Sequence, residues 1–484
     1  MNLSTKQRKL QNRTSIARRA AFIAAAGAVA LTAAISTSAA FADPSGVTGG
    51  PGATPPTSTT TGTKTINAYG SNTDQNVYDV FTGGTNGSHF SYSPDSFGST
   101  VASWDATNPV NNGLNDVIKP FSTATDTFQR PDGSGDGRNA LSAANNTAAG
   151  KNTWVSSDSG ATNTLSGTAT VKQEEVTFAR SSSLPGSATT ASTGAQLKYI
   201  PQAKDAVGLA EQKVGSATAI TNFTDTELKA IYTDTVAGQD QSAPGLDGNN
   251  WNVGDIYIAS NGAIPVYITT AQDTATPTGT SVIGAVPQAS SGTRSFFLSA
   301  INVATLGSGG VANETGSTHA VEENDVRAVS VASNLTGGGV SSLPSSYDAI
   351  VPFSGASAIE QADSANTGVT NTGVTGSGVS FPQVDSKTVW NGLTGSSAGV
   401  GTAQSGAPAR PGTSVVGNFA RFVFAVVPAS DSNTSSLVTW LDTTLESTTG
   451  TVSAHTIWTD YGFVPLSTTD ASNTSNWDFS PYTN

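Results

Sequence analysis

Cysteine is absent from the 484 residues. That excludes disulfides, thiolate metal ligands, a cysteine nucleophile and a lipid-modifiable cysteine behind a leader. Histidine occurs three times, as His89, His319 and His455, too thinly spread for a multi-histidine metal site. Charge is scarce as well, with Asp, Glu, Lys and Arg making up 12% of the chain. Gly, Ser, Thr, Asn and Ala abound in their place. This composition fits an extracellular β-rich or α/β protein with long polar loops, and a chain of this length holds two or three domains.

One long apolar run stands near the start. Residues 1–42 read as a secretory signal peptide. Lys6, Arg8, Lys9, Arg13, Arg18 and Arg19 form its basic region, and residues 20–35 its apolar region. That run is too short for a comfortable membrane span. Ala40-Phe41-Ala42 fits the small-x-small rule, so cleavage is expected after Ala42. The Arg18-Arg19 pair suggests twin-arginine export, but general secretion is the preferred route. The mature protein is expected outside the cell, secreted or held at its surface. Without the leader, 16 basic residues face 35 acidic ones, a net charge of −19. That argues against nucleic acid or an anionic membrane as partner.

Residues 43–63 are rich in Pro, Gly, Ser and Thr and read as a flexible linker or stalk. Order is expected from Lys64. Residues 65–70 read as a first strand, and residues 74–81 as a short helix with Val77, Tyr78 and Phe81 on one face. Strands are expected over 176–180, 197–201, 255–258, 264–268, 281–286, 349–353 and 422–427. The strand at 197–201 ends at Pro201 and resumes over 205–209. Thr224 and Glu227 form a capping box at the head of a helix reaching Tyr232. A short helix is expected over 357–361. Alternating strands and helices predict α/β layers with mainly parallel sheets. No convincing internal repeat is present.

The most informative segment is Ser291-Gly292-Thr293-Arg294, between an apolar strand and the helical run that begins at Phe296. The first N–H groups of a helix are unpaired and carry the positive end of its dipole. Ser291 and Thr293 add hydroxyls, Gly292 permits close approach, and Arg294 adds a forked cationic donor. Together they suit an oxyanion. An ordinary Ser/Thr cap beside a surface arginine is the alternative.

Several segments, in order, resemble the phosphate-binding proteins of ABC importers, of the periplasmic-binding-protein superfamily. Ala68-Tyr69-Gly70-Ser71-Asn72-Thr73 resembles the family's first anion turn. The stretch Arg130-Pro131-Asp132-Gly133-Ser134-Gly135 is similar to the loop opening its second anion-contacting helix. Phe178-Ala179-Arg180-Ser181-Ser182 resembles a conserved-type strand end, and Ser291-Gly292-Thr293 the principal phosphate loop. Residues 199–207 and 349–353 look like the two hinge crossings. The resemblance implies a two-lobed, type II α/β fold with hinge strands. Lobe I would comprise residues 64–199 plus 350–484, and lobe II residues 200–349. It implies a non-enzymatic solute-binding protein that captures an oxyanion, inorganic phosphate first, for ABC-type import. A monomer is expected, with permease subunits as partners and no cofactor.

The implied ligand set is Ser71, Thr73, Ser134, Gly135, Arg180, Ser182, Ser291, Gly292, Thr293 and Arg294, with Arg138 or Arg130 as further sources of charge. Two departures stand out. The family's loop arginine, four residues before the serine, is Pro287 here. The family's proton-accepting aspartate is Ser182, which leaves selection between phosphate and sulfate open.

The alternative function is an extracellular surface, adhesion or structural protein that reuses this fold without transport. A pocket filled by side chains would favour it. Enzymatic readings are thin. Gly395-Ser396-Ser397-Ala398-Gly399 matches a nucleophile elbow but lacks a strong preceding strand. Residues 132–137 resemble the start of a calcium loop whose closing acid is replaced by Ala143. Glu322, Glu323 and Asp325, near His319, read as a solvated acidic helix start.

Overall fold

The β-branched and aromatic runs assemble into one large sheet in the computed structural model of the chain. Residues 60–61, 66–83, 95–106, 117–121, 123–146, 150–157, 159–184, 197–217, 220–233, 256–258, 266–269, 279–307, 311–313, 322–340, 342–386, 419–431, 435–445, 448 and 453–466 are described. All of them belong to one unit, residues 41–484. The signal peptide, most of the linker, His89, His319 and the Gly395–Gly399 segment lie outside the described residues. No described helix is long and apolar enough to cross a membrane.

The elements that position the site run, in chain order, as follows. Strand β1 (Ile66–Gly70) leads to helix α1 (Gln75–Phe81) and strand β2 (Val101–Ser103). Helix α2 (Gly133–Asn145) precedes β3 (Phe178–Ser181) and the long β4 (Leu197–Val214). Helix α3 (Asp225–Thr233) is followed by β5 (Ile256–Ile258), β6 (Val266–Thr269) and β7 (Gly279–Val286). Then come α4 (Gly292–Ala300), β8 (Val311–Asn313), β9 (Tyr347–Ser354) and α5 (Gly355–Ala362). Strand β10 (Ala420–Pro428) and helix α6 (Ala454–Asp460) complete the set.

Among the described residues the main sheet has twelve strands, nine of them in the path β5-β6-β7-β9-β4-β10-β3-β1-β2. This is the α/β class expected from the alternation of elements, but the sheet is mixed, not mainly parallel. Strand β1 pairs parallel with β2 and β3, and β7 parallel with β8 and β9. Between these two parallel groups the middle is antiparallel. Residues Leu197–Ala206 of β4 pair with β10, and Val207–Val214 pair with β9. One continuous strand therefore serves both ends of the sheet.

Pro201 does not end that strand, contrary to expectation. The register slips between Val423 and Phe424, whose partners are Ala203 and Pro201. Gln202 is the extra residue of a bulge, and a bulge absorbs a proline that cannot donate to the ladder.

The run Phe422-Val423-Phe424-Ala425-Val426-Val427 never alternates with polar residues because both its faces are covered. Val423, Ala425 and Val427 enter a cluster with Val77, Tyr78, Phe81 and Trp458 of α1 and α6. Phe422, Phe424 and Val426 enter another with Ala140 and Leu141 of α2. Successive strand side chains point to opposite faces, so helices cover the sheet on both sides here. A third cluster packs β7, β9 and the second half of β4 against Leu228, Ile231 and Tyr232 of α3 and Phe297 of α4.

The α3 capping box forms as its spacing predicts. Glu227 N donates to Thr224 Oγ1 at 3.2 Å, and Thr224 N donates to Glu227 Oε2 at 2.6 Å. The segment 132–137 opens helix α2 instead of wrapping a cation. No cluster of acids or histidines able to hold a metal occurs among the described residues.

Candidate functional site

Two Ser-x-Thr turns, 220 residues apart, face each other. The first, Ser71-Asn72-Thr73, follows β1, and its Ser71 N donates to Arg180 O at 3.2 Å. The second, Ser291-Gly292-Thr293, follows β7 and opens α4, as the pattern of strand, turn and helix predicts. Ser291 is the N-cap of α4 and its Oγ accepts from Arg294 N at 3.0 Å. Thr73 Oγ1 and Thr293 Oγ1 stand 3.3 Å apart.

Each turn offers a serine hydroxyl and a threonine N–H, and both pairs converge on one carboxylate, that of Glu323. Ser71 Oγ donates to Glu323 Oε1 at 2.7 Å, Thr73 N at 3.0 Å and Thr73 Oγ1 at 2.8 Å. Ser291 Oγ donates to Oε2 at 2.6 Å and Thr293 N at 3.1 Å. Among the described residues, five hydrogen bonds thus reach a side chain that is fully buried. The four donor residues form a cradle with no more than 1% of any of them exposed.

Charge at the cradle comes from Arg421 on β10. Its NH2 donates to Thr293 Oγ1 at 3.0 Å and to Thr73 Oγ1 at 3.3 Å. The same guanidinium is held by Asp205 Oδ2, at 2.9 Å from Nε and 2.7 Å from NH2, while NH1 donates to Ser182 O. Asp205 also accepts from Ser354 Oγ and Ala356 N at the head of α5. Burial alone would raise the Glu323 carboxyl. The Arg421 charge and the bonds from Ser291, Thr293 and Ser71 outweigh it and hold the group below the ordinary carboxylate range. Asp74 lies beneath the cradle, 4.0 Å from Arg180 Nε. Burial pushes it up to about 7, opposed by Arg180 and reinforced by Glu323.

The other sequence-derived candidates divide into two groups. Ser134 and Ser182 adjoin the second turn: Ser182 N donates to Ser134 Oγ at 2.9 Å, and a Cβ on Gly292 would overlap both serine hydroxyls. Gly135 N donates to Ser290 O at 2.9 Å, tying the head of α2 to the same turn.

The arginines are committed elsewhere. Arg180 donates to Ser71 O, Ser103 Oγ and Trp104 O, so it braces the first turn from behind. Arg294 NH1 donates to Pro287 O and Asn313 Oδ1. Arg138 NH1 bonds Ser181 Oγ and Ser183 O, and Arg130 NH1 bonds Asp105 O. Arg180 alone uses Nε, NH1 and NH2 on these groups; the contacts of the other three run through NH1.

Two residues at the centre were not among the candidates. Arg421 opens an apolar strand, and a cation in such a run needs a buried partner. That was the available signal. Glu323 carried none, and its surroundings correct the expectation of a solvated acidic run. Glu322, Glu323 and Asp325 are 3%, 0% and 5% exposed. The donors of the cradle satisfy Glu323, while Asn72 Nδ2 and Gln288 Nε2 donate to Glu322 Oε2 at 2.6 and 3.0 Å.

No protein-family model matches the chain, and no curated protein does. Solved structures do. A phosphate-binding protein from Stenotrophomonas maltophilia is 13% identical, with a TM-score of 0.37 over 85% of this chain and 93% of that one. A human phosphate-binding apolipoprotein is 13% identical, with a TM-score of 0.38 over 85% and 93%. An ABC-type phosphate transport receptor from Vibrio cholerae is 17% identical, with a TM-score of 0.30 over 60% and 81%.

Proposed function

We propose that this chain is an exported solute-binding protein, not an enzyme, whose cradle takes a small oxyanion, inorganic phosphate first. The observation that carries the reading is the convergence of Ser71, Thr73, Ser291 and Thr293 on one buried anionic group. The Glu323 carboxylate stands in that place for two oxygens of an oxyanion. A neutral peptide or sugar would not need paired N–H and hydroxyl donors beside an arginine.

In this reading residues 64–199 plus 350–484 form one lobe and residues 200–349 the other. Strands β4 and β9 are the crossings between them. Ser71 and Thr73 belong to the first lobe and Ser291 and Thr293 to the second, so a shared anion would hold the lobes together. Closure would exclude water and strengthen each hydrogen bond. The phosphate-binding and phosphate-transport proteins that resemble the chain support this ligand. Permease subunits of an importer are the partners proposed, and export is directed by a signal peptide cleaved after Ala42.

A second reading, a surface protein that keeps the fold without transport, is favoured by one observation: the chain's own Glu323 already satisfies the cradle. Calorimetric titration of the mature protein and of Glu323→Ala with phosphate, then sulfate, separates the two. Binding of phosphate by either protein supports the solute-binding reading. Silence of both, in folded samples, contradicts it and leaves the surface-protein reading.

A further inference from the structure

We infer that Glu323 is a built-in pseudo-ligand: its side chain fills the anion cradle, so an external oxyanion binds only when Glu323 leaves. The inference rests on the oxyanion reading and adds that this chain competes with its own ligand.

The contacts are those of a ligand more than of a structural ion pair. Each Ser-x-Thr turn gives one carboxylate oxygen a serine hydroxyl and a threonine N–H, and Thr73 Oγ1 adds a third donor to Oε1. Oε1 takes Ser71 Oγ and Thr73 N, and Oε2 takes Ser291 Oγ and Thr293 N. Arg421 NH2 then touches both threonine hydroxyls. Yet Arg421 bonds Asp205 directly, and Glu323 bonds the groups around Arg421. The arginine is thus neutralised by Asp205, and Glu323 takes the place beside it that a second anion would want.

An oxyanion could not join Glu323 there. Its negative charge would lie within a few ångströms of a buried carboxylate, and each donor N–H has one hydrogen to give. The two occupants are therefore exclusive. Because Glu323 is tethered to the cradle, its effective concentration there is far above that of a free ion. The apparent affinity for a free anion falls by the fraction of time the cradle is vacant. If Glu323 is seated 99 times in 100, that is about 100-fold.

The test is calorimetric titration of the mature wild type, Glu323→Ala and Glu323→Gln with inorganic phosphate at neutral pH, with thermal melts alongside. Glu323→Ala should bind phosphate about 100-fold or more tightly than the wild type. Phosphate should raise the melting temperature of Glu323→Ala and leave that of the wild type unmoved. If Glu323→Ala does not fold without anion, Glu323→Gln, which keeps the shape and loses the charge, is read in its place.

Equal, tight phosphate binding by wild type and variants would overturn the inference while leaving the oxyanion reading intact. Absence of binding by all folded proteins would overturn the reading itself.

Discussion

Glu323 and Asp74 are two buried carboxyl groups about one cradle, and their surroundings push them in opposite directions. Glu323 is held below its ordinary value of 4.5, because Arg421 and the hydroxyl and N–H donors overcome its burial. A group depressed on folding stabilises the protein above its unfolded value, and the contribution is lost as pH falls through the folded one. Asp74 has the opposite sign. Burial raises it from 3.8 to about 7, so its contribution is full below 3.8 and lost as pH rises through about 7. The unfolding free energy of the wild type is therefore predicted to fall as pH rises from about 4 to about 7, and Asp74→Asn to flatten that slope. Denaturant titrations of both proteins across this range check it. A wild type as steep as Asp74→Asn would show that Asp74 ionises normally.

Residues also show where a sequence stops being informative. Ser291, Gly292 and Thr293 could be read because a helix cap is local chemistry, decided by three or four neighbours. Arg421 and Glu323 could not be placed in the same way. Thr73 lies 250 residues from Glu323, and Arg421 lies 216 from Asp205. An acidic run such as 322–325 looks solvated until the donors that bury it are known. Arg180 was a plausible ligand by position, but its fork is spent on Ser71 O, Ser103 Oγ and Trp104 O.

At the scale of elements, the capped helices α3 and α4 were legible, while α6 and the middle of the sheet were not. The Thr224–Glu227 box and the Ser291 cap mark helix starts through hydrogen bonds their own residues make. The 18-residue span of β4 depends instead on two partners, β9 and β10, that come more than a hundred residues later. With only local cues, Pro201 looked like a strand end; the bulge at Gln202 removes that constraint.

The heads of α2 and α4 meet at Gly292, where a methyl group would collide with Ser134 Oγ and Ser182 Oγ. Gly292→Ala is expected to push both hydroxyls aside, breaking the Ser182 N to Ser134 Oγ bond, and to cost about 1–3 kcal/mol, as overpacking does. The denaturation midpoint measures it. An unchanged midpoint would mean that the two heads yield freely, and that Gly292 is a solvent-tolerant turn residue.

Across the whole molecule, the cradle draws on both ends of one sheet. Strand β1 leads into the first turn and β7 into the second, while Arg421 reaches in from β10 and is anchored by Asp205 of β4. A group seated there couples segments that have no local reason to be neighbours. In the present structure that group is Glu323. Inorganic phosphate is the competitor we propose for it.

The most direct measurement is a crystal structure of Glu323→Ala grown with inorganic phosphate. The account predicts tetrahedral density in the cradle, within hydrogen-bond reach of Ser71 Oγ, Thr73 N, Ser291 Oγ and Thr293 N, with Arg421 beside it. A cradle holding only water, or collapsed onto itself with phosphate absent, would contradict it.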